Sequence, residues 1–255
     1  MLAPPLKIVN AELRFPRVDL IEPSASHFIH IAAEIDSRPA FLPDSGAKKQ
    51  VLAKAKDACT RLAREPGVLD AAVFTAILIP PGLGEYAKQR SEQRGGRLHI
   101  ARFDLAVLIE CDNAETVQRV QRHPACEAMQ RTIAQAASYV HAITATNPRR
   151  MGPVDHTRPG VFLFNHFAAD NLAQNLAVWD YTAGWFEVET GLDNSTVLLP
   201  DDAGKSQYSI INHCRWDRLR DVLPSLLFKK TFHSYVLDNF AANNVAAMPI
   251  LYRLA

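Results

Sequence analysis

Cysteine is scarce: Cys59, Cys111, Cys126 and Cys214 are the four in 255 residues, and no CxxC pair occurs. That excludes a disulfide framework and points to a reducing, cytoplasmic setting. Charge of one sign is also lacking. Twenty-eight Lys and Arg stand against 27 Asp and Glu, a net charge of +1, so there is no basic excess for nucleic acid and no acidic disordered tail. No apolar run approaches the ~18 residues of a membrane span. The opening MLAPPLKIVNAELRFP breaks with prolines and a lysine where a secretory signal needs an unbroken apolar stretch. GxGxxG, P-loop and GxSxG signatures are missing, which argues against nucleotide binding and elbow-type serine hydrolysis. What is present is an ordinary globular composition, 48% hydrophobic and 22% charged, at a length that allows one large domain or two small ones.

The chain echoes itself. Residues 103–112 read FDLAVLIECD and residues 208–217 read YSIINHCRWD, two strand-like runs that open on an aromatic residue and close on Asp. Upstream of them, TAILIPP (75–81) answers STVLLPD (195–201), each preceded by a helical stretch ending near a glycine, Gly67 or Gly191. Downstream, each half has a helical stretch with one proline, Pro124 or Pro224, and then an apolar segment, YVHAITATN (139–147) or AAMPILYRLA (246–255). Identity is low, but four matched elements keep their order. The halves differ in one connector, GLGEYAKQRSEQRGGRLHI (82–100) against DDAGKSQ (201–207).

The second half reads as strand 160–167, a helix capped by Asp170 or Asn171 with a stripe at Leu172, Leu176, Trp179, Ala183 and Phe186, and Gly191 as its C-cap. Strands 195–200 and 208–216 follow as a hairpin around Asp202–Gly204. A single helix capped by Asp217 then runs from Leu219 to Phe240, and strand 248–254 closes the unit. The first half predicts strand 27–35, helix 47–64, strands 70–80 and 101–111, helix 114–136 and strand 139–146. Each is β-α-β-β-α-β, the split βαβ unit. The expected class is therefore α+β: two tandem ferredoxin-like units, 25–150 and 151–255, behind an N-terminal arm, 1–24. Helices cover one sheet face only, so the bare faces pack sheet to sheet as an intrachain α/β barrel.

These residues resemble the dimeric α/β-barrel superfamily, which includes antibiotic-biosynthesis-type monooxygenases, stress-responsive barrel proteins and, as fused repeats, chlorite-dismutase-like haem proteins. EPGVLDAAVFTAILIPP (65–81) and ARFDLAVLIECDNAETVQRVQRHPACEAM (101–129) carry the likeness. It implies the barrel fold. It further implies a small-molecule enzyme, with a cofactor-independent monooxygenase-like activity on an apolar or aromatic substrate. Its alternatives are a ligand-binding or accessory protein of the same fold and a haem protein. No cofactor is expected, although a haem needs only one axial histidine and spacing leaves room for it.

Alternation along strands sorts the site candidates. Phe103, Leu105, Val107, Ile109 and Cys111 form one apolar face, expected under the helices. The matching positions are Tyr208, Ile210, Asn212, Cys214 and Trp216, so Asn212 replaces a valine. With the first and third strands taken as parallel neighbours, Asn165 lies near Asn212, as a structural pair or as the polar end of a pocket. On the other face, Glu110 and Arg215 match and could pair across the pseudo-twofold axis. His166 and His213 are the candidate bases, Asn165 and Asn212 would orient an oxyanion, and Trp185 would wall the pocket. Asn212 and His213 face opposite ways, so a site inside the barrel takes His213 and Arg215 instead. No HxH, HExxH or His/Cys pair occurs at ligand spacing, so no metal site is expected. His123 reads as a cap and His233 as facing the sheet. The second half is expected to hold the only functional pocket. The expected partner is a small-molecule ligand, with no nucleic acid and no membrane, in a monomer or homodimer.

Overall fold

The computed structural model describes residues 5–80, 85–93, 95 and 98–255. After the arm come β1 (His27–Glu34), α1 (Gly46–Leu62), β2 (Val68–Leu78), α2 (Glu85–Gln93), β3 (Leu105–Cys111), α3 (Ala114–Gln121), α4 (Pro124–Ala136) and β4 (Tyr139–Thr146). A short β5 (Arg150–Gly152) lies in the linker. The second unit is β6 (Val161–Ala169), α5 (Leu172–Thr190), β7 (Ser195–Pro200), β8 (Ile210–Trp216), α6 (Leu219–Phe228), a π-helical turn Phe232–Leu237, α7 (Asp238–Ala242) and β9 (Val245–Leu254).

The strands form one closed ring in the order β4-β1-β3-β2-β9-β6-β8-β7, with β7 returning to β4 and β5 lying outside on β7. Two seams join the halves. At one, β2 meets β9 from Phe74↔Leu254 to Leu78↔Leu251. At the other, β4 meets β7 through Ala145↔Pro200 and Thr146↔Leu199. Every pairing is antiparallel. The first and third strands of each unit are indeed neighbours, but they run antiparallel and not parallel. That follows from the connections: a crossover helix returns the chain to make β1 and β2 parallel, and the direct link into β3 then reverses it.

Alternation divides the apolar residues into three cores. The barrel interior is filled by Phe28, Phe74, Phe103, Phe162, Phe164 and Tyr252 among others. Val107, Ile109 and Cys111 meet α1 and α4 in a second core, and Leu163, Cys214 and Trp216 meet α5 and the π turn in a third. Phe103 departs from the expected face. It precedes β3, so strand parity does not govern it, and it lies inside the barrel, as does its counterpart Tyr208.

The helix ends follow local chemistry. Asn171 accepts from Gln174 N, and Gly191 closes α5 in the left-handed region at φ 67°. The helix expected over 114–136 is two, because His123 caps α4 by accepting from Ala125 N, and Pro124 opens it. The single helix expected after Asp217 is also broken. Its N-cap is Arg218, whose N–H donates to Asp221, and it stops at Phe228 before the π turn. That turn sets His233 outward, beside Asp238, and not against the sheet. The connector 82–100 contains α2, which its polar composition did not predict. Gly82–Gly84, Arg94, Gly96 and Arg97 of that connector lie outside the described residues, as do residues 1–4 of the arm.

The arm straps the helices of the second half. Lys7 N and Val9 N donate to Asn243 Oδ1 and Asn239 Oδ1, both at 2.9 Å, and Phe15 packs on Tyr235. It crosses α5 at Gly184, where an added Cβ would lie 1.7 Å from the Pro16 carbonyl oxygen. Only glycine permits that approach.

Candidate functional site

On β6 the inward residues are Phe162, Phe164 and His166, and on β8 they are Ile211, His213 and Arg215. Asn165 and Asn212 face the helices. The sequence-derived candidates therefore fall into two groups on opposite sides of one sheet.

Inside the barrel, His166 is joined by two histidines that sequence spacing did not single out, His30 of β1 and His141 of β4. All three are buried, and one nitrogen of each lies within 4.8 Å of the others. The ring centroids are 5.7 Å apart for His30 and His166, 6.3 Å for His141 and His166, and 6.4 Å for His30 and His141. His141 Nε2 bonds Ser206 Oγ at 3.1 Å. The other five ring nitrogens have no hydrogen-bond partner among the described residues. Burial pushes the imidazoles down, His30 to about 3 and His141 to about 4, with His141 and His99 respectively adding repulsion. His166 is lowered by burial first and by His30 and His141 next. At neutral pH the trio is uncharged, with free lone pairs.

His213 belongs to a different group. Its Nδ1 bonds the Leu163 carbonyl at 2.9 Å, and its Nε2 lies 2.8 Å from His156 Nε2. A carbonyl only accepts, so Nδ1 of His213 carries the proton and Nε2 accepts from His156. His156 Nδ1 in turn meets Asp70 Oδ2 at 2.5 Å. Burial holds His213 well below its ordinary pKa, with His156 the next cause. Phe164 stacks on the ring at 4.0 Å. Both nitrogens of His213 are thus engaged, while both of His166 are free.

Arg215 does not pair with Glu110. Its Nη1 lies 2.8 Å from Asp217, and Nη2 donates to the Pro159 carbonyl at 2.6 Å. Asn212 Oδ1 accepts from Ser195 Oγ at 2.6 Å, whereas Asn165 Oδ1 is buried without a partner among the described residues. The two asparagines face each other in the register and share the wall of a cavity of about 30 Å³, room for roughly two waters. Trp179 and Thr182 line it. Trp185 is buried elsewhere, donating to Thr231 Oγ1 at 3.0 Å and packing on Phe186 and Phe232. A second cavity of the same size lies beside the π turn. Neither is lined by a histidine or approaches the size of a macrocycle, so the residues between this sheet and its helices do not fit a haem.

The largest of these cavities, about 680 Å³, opens at the end of the barrel nearest the trio and draws on both halves. Its walls are apolar at Phe41, Leu78, Ile100 and Pro249, and its rim is charged at Asp36, Arg38 and Arg102. Asp104 steadies that rim by accepting from Ile35 N and Asp36 N and pairing with buried Lys48 at 3.3 Å. Burial nevertheless raises the Asp104 carboxyl. Ala101 and Met248 line this cavity and also belong to the barrel core. Met248 sits opposite His166 in the β6–β9 register. The volume is typical of small-molecule pockets, which run ~300–1,000 Å³.

A closed eight-stranded barrel made from two β-α-β-β-α-β units is the dimeric α/β-barrel, ferredoxin-like fold, held here within one chain. No family model and no curated protein matches the sequence. Solved structures do match in shape. An anthrone oxidase-like protein is similar at TM-score 0.62 and 9% identity, with 93% of this chain and 94% of that one covered. A protein of Fusobacterium nucleatum subsp. nucleatum, named "Putative monooxygenase", is similar at TM-score 0.55 and 9% identity over 91% and 93%. At such identities the likeness is one of fold. Among the described residues no helix is long and apolar enough to cross a membrane.

Proposed function

We propose that this protein is a small-molecule oxidoreductase of monooxygenase-like type, acting on an apolar or aromatic substrate admitted through the 680 Å³ cavity. The observation that carries the reading is His166, a fully buried imidazole with both nitrogens unpartnered among the described residues, whose register partner on β9 is Met248, a lining residue of that cavity. A neutral imidazole offers a lone pair to a proton from an acidic C–H or O–H, and a substrate anion formed beside it would offset the burial that weakens it as a base. The substrate then supplies the electrons. A benzylic CH₂ and one O₂ give a carbonyl and one water, so one oxygen atom enters the product and the other leaves as water. The anthrone oxidase-like neighbour makes anthrones a rational first class to assay. The barrel is closed within the chain, so a monomer or a homodimer can act.

The test is oxygen uptake with a panel of anthrones and hydroquinones. Uptake by the wild type that falls at least ~100-fold in His166→Asn supports the reading. No uptake with any of them overturns it. A second reading, binding without turnover, is favoured by the cavity's lining, which includes Met248 but none of the three histidines. It predicts ligand-induced thermal shifts with no oxygen consumed. An absorption spectrum of the purified protein, read for a Soret band, checks for haem.

A further inference from the structure

We infer that His30, His141 and His166 form a binding site for a divalent first-row transition ion, at the centre of the barrel and shared between the two halves. The inference deepens the reading above, since it concerns the same interior and the same access route.

Three observations carry it. The first is convergence: one nitrogen from each of three strands, β1, β4 and β6, lies within 4.8 Å of the others. In a tetrahedral site with metal–nitrogen bonds of ~2.0–2.1 Å, ligand atoms stand roughly 3.4 Å apart. Binding therefore requires the rings to draw together by roughly 1 Å, a shift within the reach of side-chain rotation. The second is that the rings are unsatisfied. Five of six nitrogens are buried without partners, and a buried polar group left unpaired costs about 1–3 kcal/mol. A cation bound to three lone pairs answers that cost, and no side chain among the described residues does. The third is the donor set. Three imidazoles with no carboxylate or thiolate suit zinc, copper, nickel or iron, and not calcium or magnesium.

Phe103, Phe164 and Tyr208 ring the site. Tyr208 Oη is engaged with the His99 carbonyl, which leaves three protein ligands and an open position, the pattern of catalytic rather than structural zinc sites. An ion there would take up the His166 lone pair, so the base role proposed above belongs to the ion-free protein, and the ion would supply polarisation of a bound water.

The test uses the full-length protein stripped with chelator, then titrated with Co²⁺ and, separately, with Zn²⁺ under equilibrium dialysis. One ion per chain and a visible Co²⁺ ligand-field band are expected, with a Zn²⁺-dependent rise in Tm. His166→Ala should weaken binding roughly 100-fold or more, whereas His213→Ala should leave it unchanged. Absence of the band and of uptake in the wild type overturns the proposal without recourse to any variant. So does equal uptake by the wild type and a His30→Leu/His166→Leu double variant. A protein that binds the ion but consumes no oxygen overturns the proposed activity and leaves this site standing. A protein that turns over substrate while taking up no ion does the reverse.

Discussion

His156 and His213 meet nitrogen to nitrogen at 2.8 Å, and through this bond the linker between the two halves is fastened to the inside of the barrel. His156 lies in the irregular segment before β6, and its other nitrogen holds Asp70 of β2. One imidazole therefore ties together the linker, the first half and the second.

Replacing His156 should loosen that tie. In His156→Ala, His213 Nε2 loses its donor while remaining buried, and an expected loss of about 1–3 kcal/mol follows. Urea unfolding measures it. Limited proteolysis should show faster cleavage within residues 153–160 than in the wild type. Unchanged stability and unchanged cleavage would mean that the bond contributes nothing.

Acid should weaken the fold well above the range where carboxylates titrate. His30, His141, His166 and His213 all have folded-state pKa values below the ordinary 6.5, so between the two values the unfolded chain binds more protons. Their stabilisation is complete above about pH 6.5 and is lost as pH falls. Each histidine contributes a slope approaching ~1.4 kcal/mol per pH unit, down to about pH 4 for His141 and about pH 3 for His30. Asp36 and Asp155, held low by hydrogen bonds from Arg38 and from Thr157, act only under about pH 4. Urea midpoints from pH 4 to 7 test this. A profile as steep in His30→Leu as in the wild type would contradict it.

Removing an unpartnered imidazole should stabilise the metal-free protein. His166→Phe substitutes a ring of similar breadth between Phe103 and Tyr208 and deletes two buried unbonded nitrogens, for an expected gain of about 1–3 kcal/mol. Calorimetry of the chelator-treated protein is the measurement. A loss of stability would show that His166 is already satisfied.

Gly184→Ala should dislodge the arm. The new methyl would overlap the Pro16 carbonyl, backbone that cannot simply rotate away, and overpacking of this kind costs about 1–3 kcal/mol. Hydrogen exchange at Lys7 and Val9, whose amides bond Asn243 and Asn239, should accelerate. Protection equal to the wild type's would refute the strapping role.

Much of the architecture was legible because it rests on local rules. The echo between FDLAVLIECD and YSIINHCRWD marked the same strand twice, and alternation alone placed Asn212 and His213 on opposite faces. Asn171 and Gly191 bounded α5 as their chemistry requires. The break after Phe228 was hidden because Leu226, Phe232 and Tyr235 are apolar on either side of it, and only backbone geometry shows the π turn. The histidine trio was hidden for another reason. Its members stand on three strands from both halves, so no spacing in the chain reflects their convergence. His30 and His141 sat in plain view within HFIHIAAEI and YVHAITATN. Recognising them required the register across β1 and β4, and that register is set by tertiary pairing.

The two seams of the ring are unequal, and the inequality has a mechanical meaning. The β2–β9 clasp spans Phe74 to Leu78, whereas the β4–β7 clasp has two residue pairs, one of them Pro200, which has no N–H to give, together with the bond from Asp201 N to the Thr144 carbonyl. The shorter clasp is the one expected to exchange its amide protons first, at Asp201, whose N–H bonds the Thr144 carbonyl. His141 rides on β4, so the strand at the weaker clasp carries one of the three imidazoles. The placing of the trio is thus tied to a strand held at the shorter of the two clasps.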